Sequence, residues 1–329
     1  MAYPLDAMKY QKFILLLTLT LSYSSILFGQ ETKTSNYIQN IPGVSVEFEM
    51  KAISGGEFKM GSNLSEIGHN KDEAPVHAVT ISPFWMSSHE VTWDIYELFV
   101  YQDFDQTKSL GVDAISRPSK PYLDMTFGMG KEGHPAVGMT QYNALQFCKW
   151  LYTRTGVFYR LPTEAEWEFA CRAGSQTPYS FGNDTTALSD YAWYKSNSQE
   201  KTHTVGTKIP NQWGLYDMHG NVAEWTLDQY TPNYYSQTSA TVNNPLSKST
   251  ELYPQSVRGG SFEDEPLDLR SAARRGSDPA WKRIDPQIPK SNWWFPEAPF
   301  VGIRLVRPLK QPSKGEIDYF YNQKPIEDY

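Results

Sequence analysis

At 329 residues, with 40% hydrophobic and 20% charged side chains, the chain is long enough for one large domain or two small ones and has an ordinary globular composition. A net charge of −7 excludes the basic face that nucleic-acid binding needs. An aromatic share of 14%, with 22 Gly and 22 Pro, favours a core of large rings held by turns and short elements. At the N-terminus, Lys9 and Lys12 precede an apolar run over residues 13–28, closed by Gly29 and Gln30. The run is shorter than the ~20 residues of a membrane-spanning helix, so residues 1–30 are predicted to be a signal peptide. No second apolar run follows. The expectation is a periplasmic or secreted protein, not integral to the membrane once cleaved, with Met8 an alternative start.

Residues 31–43 read as a polar linker. Alternation over 44–50 predicts a half-buried strand, 58–62 a second strand ending in a turn, and 76–84 alternates again. Thr92 is an expected N-cap for a helix whose apolar stripe is Ile95, Leu98 and Phe99. Residues 102–133 carry no clean period and read as a long excursion. Thr140 is expected to cap a helix over 141–153, with Leu145, Cys148, Leu151 and Tyr152 on one face. Thr163 and Glu166 form a capping box for a further helix that turns Trp167 and Cys171 inward and stops at Gly174. Beyond it no long helical period appears. Residues 309–329 read as a polar tail with Tyr319, Phe320 and Tyr321 exposed.

Six segments, in order, carry a resemblance. They are Gly55-Gly56-Glu57-Phe58-Lys59-Met60-Gly61-Ser62, Pro75-Val76-His77 with His89-Glu90-Val91-Thr92, and Arg160-Leu161-Pro162-Thr163-Glu164-Ala165-Glu166-Trp167-Glu168. Gly214 and the stretch Leu215-Tyr216-Asp217-Met218-His219-Gly220-Asn221-Val222-Ala223-Glu224-Trp225 follow, then Arg258-Gly259-Gly260-Ser261 and Gly302-Ile303-Arg304. Together they resemble the formylglycine-generating (sulfatase-modifying) enzymes over roughly residues 44–308. The resemblance implies one α+β domain, an elaborated relative of the C-type lectin fold with little regular secondary structure.

In the active enzymes so resembled, a cysteine pair after the Gly-Gly-Ser turn binds copper and oxidises a cysteine of a sulfatase. Here Asp264 stands where the first cysteine would be, and the segment for the second is shortened. Carboxylates prefer harder ions than Cu(I), so copper is not expected. Ser261, Glu263 and Asp264 remain as weak catalytic candidates, or as a solvated acidic turn paired with Arg270, Arg274 or Arg275. The two cysteines, Cys148 and Cys171, match positions that in some relatives bond to cysteines; Ser271 and Leu305 stand at the partner positions. Both are read as small buried hydrophobes with free thiols.

The resemblance also implies a calcium site built from Asp217, Gly220, Val222 and Glu224. Two carboxylates and two carbonyls supply four of the oxygens such an ion takes. The alternative is a tight turn with Glu224 in an ion pair. The six histidines lack metal-ligand spacing, and His77 and His89 are read as structural. A late loop carries Trp281, Trp293 and Trp294 among prolines, beside Arg283 and Lys290. Its rings could anchor it or stack on a sugar or an anionic polymer.

Three functions follow. The first is a non-catalytic binding or structural factor, partnered by a cell-envelope complex. The second is a sulfatase maturation or sulfatase-associated factor in sulfated-polysaccharide degradation. The third is an oxidase with a carboxylate-based site.

Overall fold

Residues 34–101, 117–237 and 241–326 are described in the computed structural model. The expected signal peptide lies outside them, and so do residues 102–116 of the excursion. The body of the fold is a unit spanning Ser35–Tyr329. Among the described residues no helix is long and apolar enough to cross a membrane.

Three small sheets carry the strands. The first has the order β1 (Tyr37–Asn40), β2 (Glu47–Ile53), β5 (Phe84–Ser87), β11 (Val306–Pro308), antiparallel throughout. Strand β2 starts three residues later than the predicted 44–50; alternation buries Phe48 and Met50 in one core cluster, and Ile53, on the opposite face, joins the other. The second runs β10 (Val301–Gly302), β6 (Ala223–Gln229), β8 (Gln255–Arg258), β9 (Arg275–Gly276), with β10 parallel to β6. The third joins β3 (Gly56–Met60), β4 (His77–Ile81) and β7 (Thr241–Asn243).

Helix α1 (Trp93–Val100) buries Ile95, Leu98 and Phe99, but Thr92 makes no side-chain cap. Its strand-like backbone bridges Pro135 instead, and Trp93 N donates to His134 O. Helix α2 (Gln141–Thr155) is capped by Thr140, whose hydroxyl accepts from Asn143 N at 3.1 Å. Its buried face is shifted from the predicted stripe: Cys148 and Leu151 are buried with Ala144, Phe147 and Trp150, while Leu145 and Tyr152 are only partly covered. Helix α3 (Glu164–Arg172) shows the full Thr163–Glu166 capping box. Ala173, at φ 45°, makes the left-handed turn one residue before Gly174.

The structure corrects both ends of the sequence reading. The linker holds β1, which pairs with β2, and Trp85 Nε1 donates to Ser35 O at 3.0 Å. The polar tail holds helix α4 (Lys314–Tyr321), which packs on α2. Ile317 and Tyr321 are buried, and the Tyr321 hydroxyl donates to Tyr159 O. Two buried positions, Ile317 and Tyr321, about one turn apart, are too few to register as a stripe, but the Ser313–Glu316 capping box marks the start of the helix.

The core forms two large clusters. One, around α1, α2 and β6, contains Cys148; the other, under β3 and β4 and against α3, contains Cys171. Both thiols are free and buried. Thiol titration of the unfolded, unreduced chain should count two; a count of zero would refute the separation.

Candidate functional site

Strand β8 ends on Arg258 and hands over to Gly259 and Gly260, the floor of a cleft of about 210 Å³. Gly260 sits at φ +65°, and a Cβ there would lie 3.0 Å from the Asp268 carbonyl, so the turn requires glycine. Asn70, Asp264, Asp268 and Arg275 stand round the cleft. This is where the resemblance placed the cysteine pair, and no sulfur lines it.

The three candidate residues separate here. Asp264 lines the cleft; Ser261 and Glu263 do not. The Ser261 hydroxyl donates to Asp264 Oδ2 at 2.6 Å, and the serine is fully buried. Arg275 approaches Asp264 at 3.6 Å, while Glu265 pairs with Lys195 at 2.7 Å on the surface. Arg270 and Arg274, the other partners considered, point elsewhere: Arg270 to Glu66 and Glu73, Arg274 to Glu164. Partial burial, then the Asp264 charge, pushes the carboxyls of Glu263 and Asp268 upward. Ser261 has no histidine or lysine against its hydroxyl, so nothing activates it as a nucleophile.

The cysteines cannot supply what the cleft lacks. Burial pushes the Cys171 thiol up to about 12 and raises Cys148 further. Cys171 Sγ lies 3.5 Å from Ser271 Oγ, the position at which some relatives carry its partner. His219 is also structural. Its Nδ1 faces Leu269 O at 2.8 Å, Nε2 accepts from Ser180 N at 3.1 Å, and burial lowers its pKa to about 4.

The loop leading into β6 builds a second buried centre. Gly220 is obligatory, since a Cβ would stand 2.3 Å from Trp193 O at φ +122°. Glu224 does not point at an open centre. Arg304 Nε and Nη2 donate to its carboxylate at 2.7–3.0 Å, and Trp167 Nε1 donates to Oε2 at 2.7 Å. The ion-pair alternative is therefore the one realised for Glu224. Asp217 differs. Oδ2 accepts from Gly206 N at 2.7 Å, while buried Oδ1 receives no N–H. Glu90, which sequence reasoning did not single out, is its counterpart. Oε1 accepts from Asn221 Nδ2 at 3.1 Å, and buried Oε2 receives no other N–H or O–H; the Glu90 and Asp217 carboxyls are within hydrogen-bond reach of each other, so a shared proton can bridge them. Burial, then the Asp217 charge, raises the Glu90 pKa well above the carboxylate range; burial raises Asp217 to about 6.

Glu90 and Arg304 both lie in the matched segments, but a sequence does not say which carboxylate meets which arginine. Among the described residues, no three or more His, Cys, Asp or Glu side chains gather so as to hold a metal ion. The two open oxygens suit a hard cation only with backbone carbonyls completing the shell.

Residues 43–286 match the sulfatase-modifying factor enzyme 1-like domain. The chain belongs to that family. The Pkn1 protein of Chlamydia pneumoniae, described as a serine/threonine-protein kinase, is 32% identical over 242 residues, 70% of this sulfatase-modifying-factor chain and 36% of the relative. The chain thus spans little more than a third of the length of that relative. The formylglycine-generating enzyme of Mycobacterium tuberculosis is 28% identical over 267 residues, covering 65% of this chain and 86% of that one. Among solved structures, PvdO from Pseudomonas aeruginosa superposes with a TM-score of 0.64 at 26% identity, over 84% of this chain and 100% of that one. Treponema denticola variable protein 1 gives 0.62 at 23% identity over 85% and 100%, a likeness of fold. The mixed helix and sheet architecture is that of the family.

Proposed function

We propose that this chain is an exported sulfatase-modifying-factor protein that uses the fold to bind a partner and does not make formylglycine by copper–thiolate chemistry. The observation that carries this reading is the cleft at Gly259 and Gly260, lined by Asp264, Asp268 and Arg275 with no sulfur. Oxygen activation by a thiolate pair needs a soft, ionised sulfur ligand. The buried thiols, with their raised pKa, are neutral at physiological pH. A charged cleft of this kind suits a polar ligand, such as a segment of a cell-envelope protein or of a sulfatase. Relatives named for a kinase and for a formylglycine-generating enzyme share this one domain, which supports a reused scaffold. The apolar run after Lys12 supports export.

The test is direct. Protein loaded with Cu(I) is incubated with a cysteine-containing sulfatase peptide, oxygen and reductant, and the peptide mass is followed. No thiol-to-aldehyde conversion above the enzyme-free control is expected; conversion would install sulfatase maturation as the function.

Calcium belongs to the proposal in a narrower form, with Asp217 and Glu90 rather than Glu224 as its side-chain ligands. Two adjacent buried carboxyl oxygens that receive no donor from the rest of the protein support it. Without a cation burial favours the protonated form of Glu90, and the folded pKa of Asp217 is raised from 3.8 to about 6. Stability from the protonated form is then complete below pH 3.8 and is lost as the pH rises through 6. Chelated protein should therefore melt lower at pH 7 than at pH 5, and millimolar Ca²⁺ should raise the pH 7 melt. In Asp217→Asn the calcium response should vanish. A wild-type melt indifferent to both calcium and chelator would rule the ion out.

A further inference from the structure

We propose that the pocket between residues 117–125 and the Trp-rich loop binds a small carboxylate with an apolar body, an aryl or short alkyl acid. The pocket measures about 180 Å³ and shares no lining residue with the cleft at Gly259. Its walls are mostly apolar, built from Pro121, Leu123, Met125, Ile284 and Trp294. Two hydrogen bonds fix those walls across the two segments. Trp294 Nε1 donates to Ser119 O at 2.9 Å, and Gln287 Nε2 donates to the Tyr122 hydroxyl at 2.7 Å. The volume is near that of an apolar cavity of ~150 Å³ that accepts benzene, so one ring or a short chain fills it. Of the lining residues, Ile284 is 54% exposed and Leu123 47%, so the pocket opens to water.

Charge fixes the other end of the ligand. Lys120 lines the pocket, is exposed, and its ammonium pairs with no carboxylate among the described residues. Lys290 Nζ is held by the carbonyls of Lys282 and Arg283 at 2.5 and 2.9 Å and likewise meets no carboxylate. The one acid of the lining, Asp285, is buried, and backbone N–H groups hold both of its oxygens without cancelling its charge. Its Oδ1 accepts from Gln287 N at 3.0 Å and its Oδ2 from Ser291 N at 2.7 Å. Arg283 is neutralised by Glu297 at 2.9 Å. An apolar pocket with the unpaired Lys120 ammonium in its lining selects an anion with an apolar body over a neutral or cationic one.

The experiment follows the Trp294 indole N–H resonance of ¹⁵N-labelled protein, assigned through Trp294→Phe. The probes are 3-phenylpropionate, 3-phenylpropan-1-ol and 3-phenylpropylamine, which differ in charge on one skeleton. The acid should saturate with a Kd of about 0.1–1 mM, the scale for a ligand of this size. The alcohol should bind about 3- to 5-fold more weakly, as for loss of one part-exposed ion pair, and the amine more weakly still. Lys120→Gln should bring the acid to the alcohol's affinity and leave the alcohol unchanged. Leu123→Glu, at a half-exposed position where folding is not at stake, should abolish saturation by the acid. Equal affinity for all three probes, or no saturable shift with any, overturns the proposal. So does tighter binding of neutral N-acetyl-tryptophanamide, which would assign the pocket to a protein side chain.

Discussion

Replacing Arg304 with methionine should lower stability by about 3–5 kcal/mol, the cost of breaking a buried ion pair from one side. For a domain of this size that is a fall in melting temperature of about 5–8 °C. Arg304 is fully buried and donates to both Glu224 oxygens, to Ser87 O at 3.0 Å and to Tyr216 O at 2.8 Å. It is also the charge that opposes Glu90 and Asp217. Methionine fills much of the volume but leaves three buried carboxyls with no cation and two carbonyls with no donor. The remaining carboxyls will answer by taking up protons. The folded pKa values of Glu90 and Asp217 rise further above the unfolded ones, so the stability that remains is fullest at low pH and is lost as pH rises. The deficit against wild type should accordingly shrink between pH 7 and pH 5. Melts at the two pH values check this; a deficit that does not change with pH would mean that the arginine acts by packing alone.

Glu168→Gln should cost a similar ~3–5 kcal/mol for the opposite reason, since it leaves buried Arg172 with no carboxylate and Arg258 with only Glu164 at 3.6 Å. Glu168 Oε1 accepts from Gly61 N at 2.8 Å and Arg172 Nε at 2.9 Å, and Oε2 accepts from Arg258. All three side chains are buried. The carboxylate ties α3 to β3 and to the start of the Gly259–Gly260 turn, so its loss reaches the floor of the cleft. Arg172 and Arg258 keep carbonyl partners at Gly61, Thr177 and Ala273, which places the variant within folding range. Denaturant unfolding of Glu168→Gln measures the cost. A loss under about 1 kcal/mol, the range of a surface pair, would show that this network is not held as described.

The sequence by itself determined the elements with a local signature. The Thr163–Glu166 capping box, the Thr140 cap and the alternation of β2 depend on neighbours within a few residues, and each is present in the fold. The family was legible too, because six motifs in order leave little room for another fold. Tertiary structure alone decided the rest. Strand β1 is too short to show a period and exists through its pairing with β2; α4 shows only a cap until α2 supplies the face it covers. Glu224 is the sharpest case. As a residue in a loop it is a plausible calcium ligand, yet Arg304 and Trp167, which lie far from it along the chain, occupy both its oxygens. The open oxygens belong to Asp217 and Glu90 instead. A charge in the interior takes its role from whichever partner the fold brings within hydrogen-bond reach, and sequence spacing carries no record of that choice.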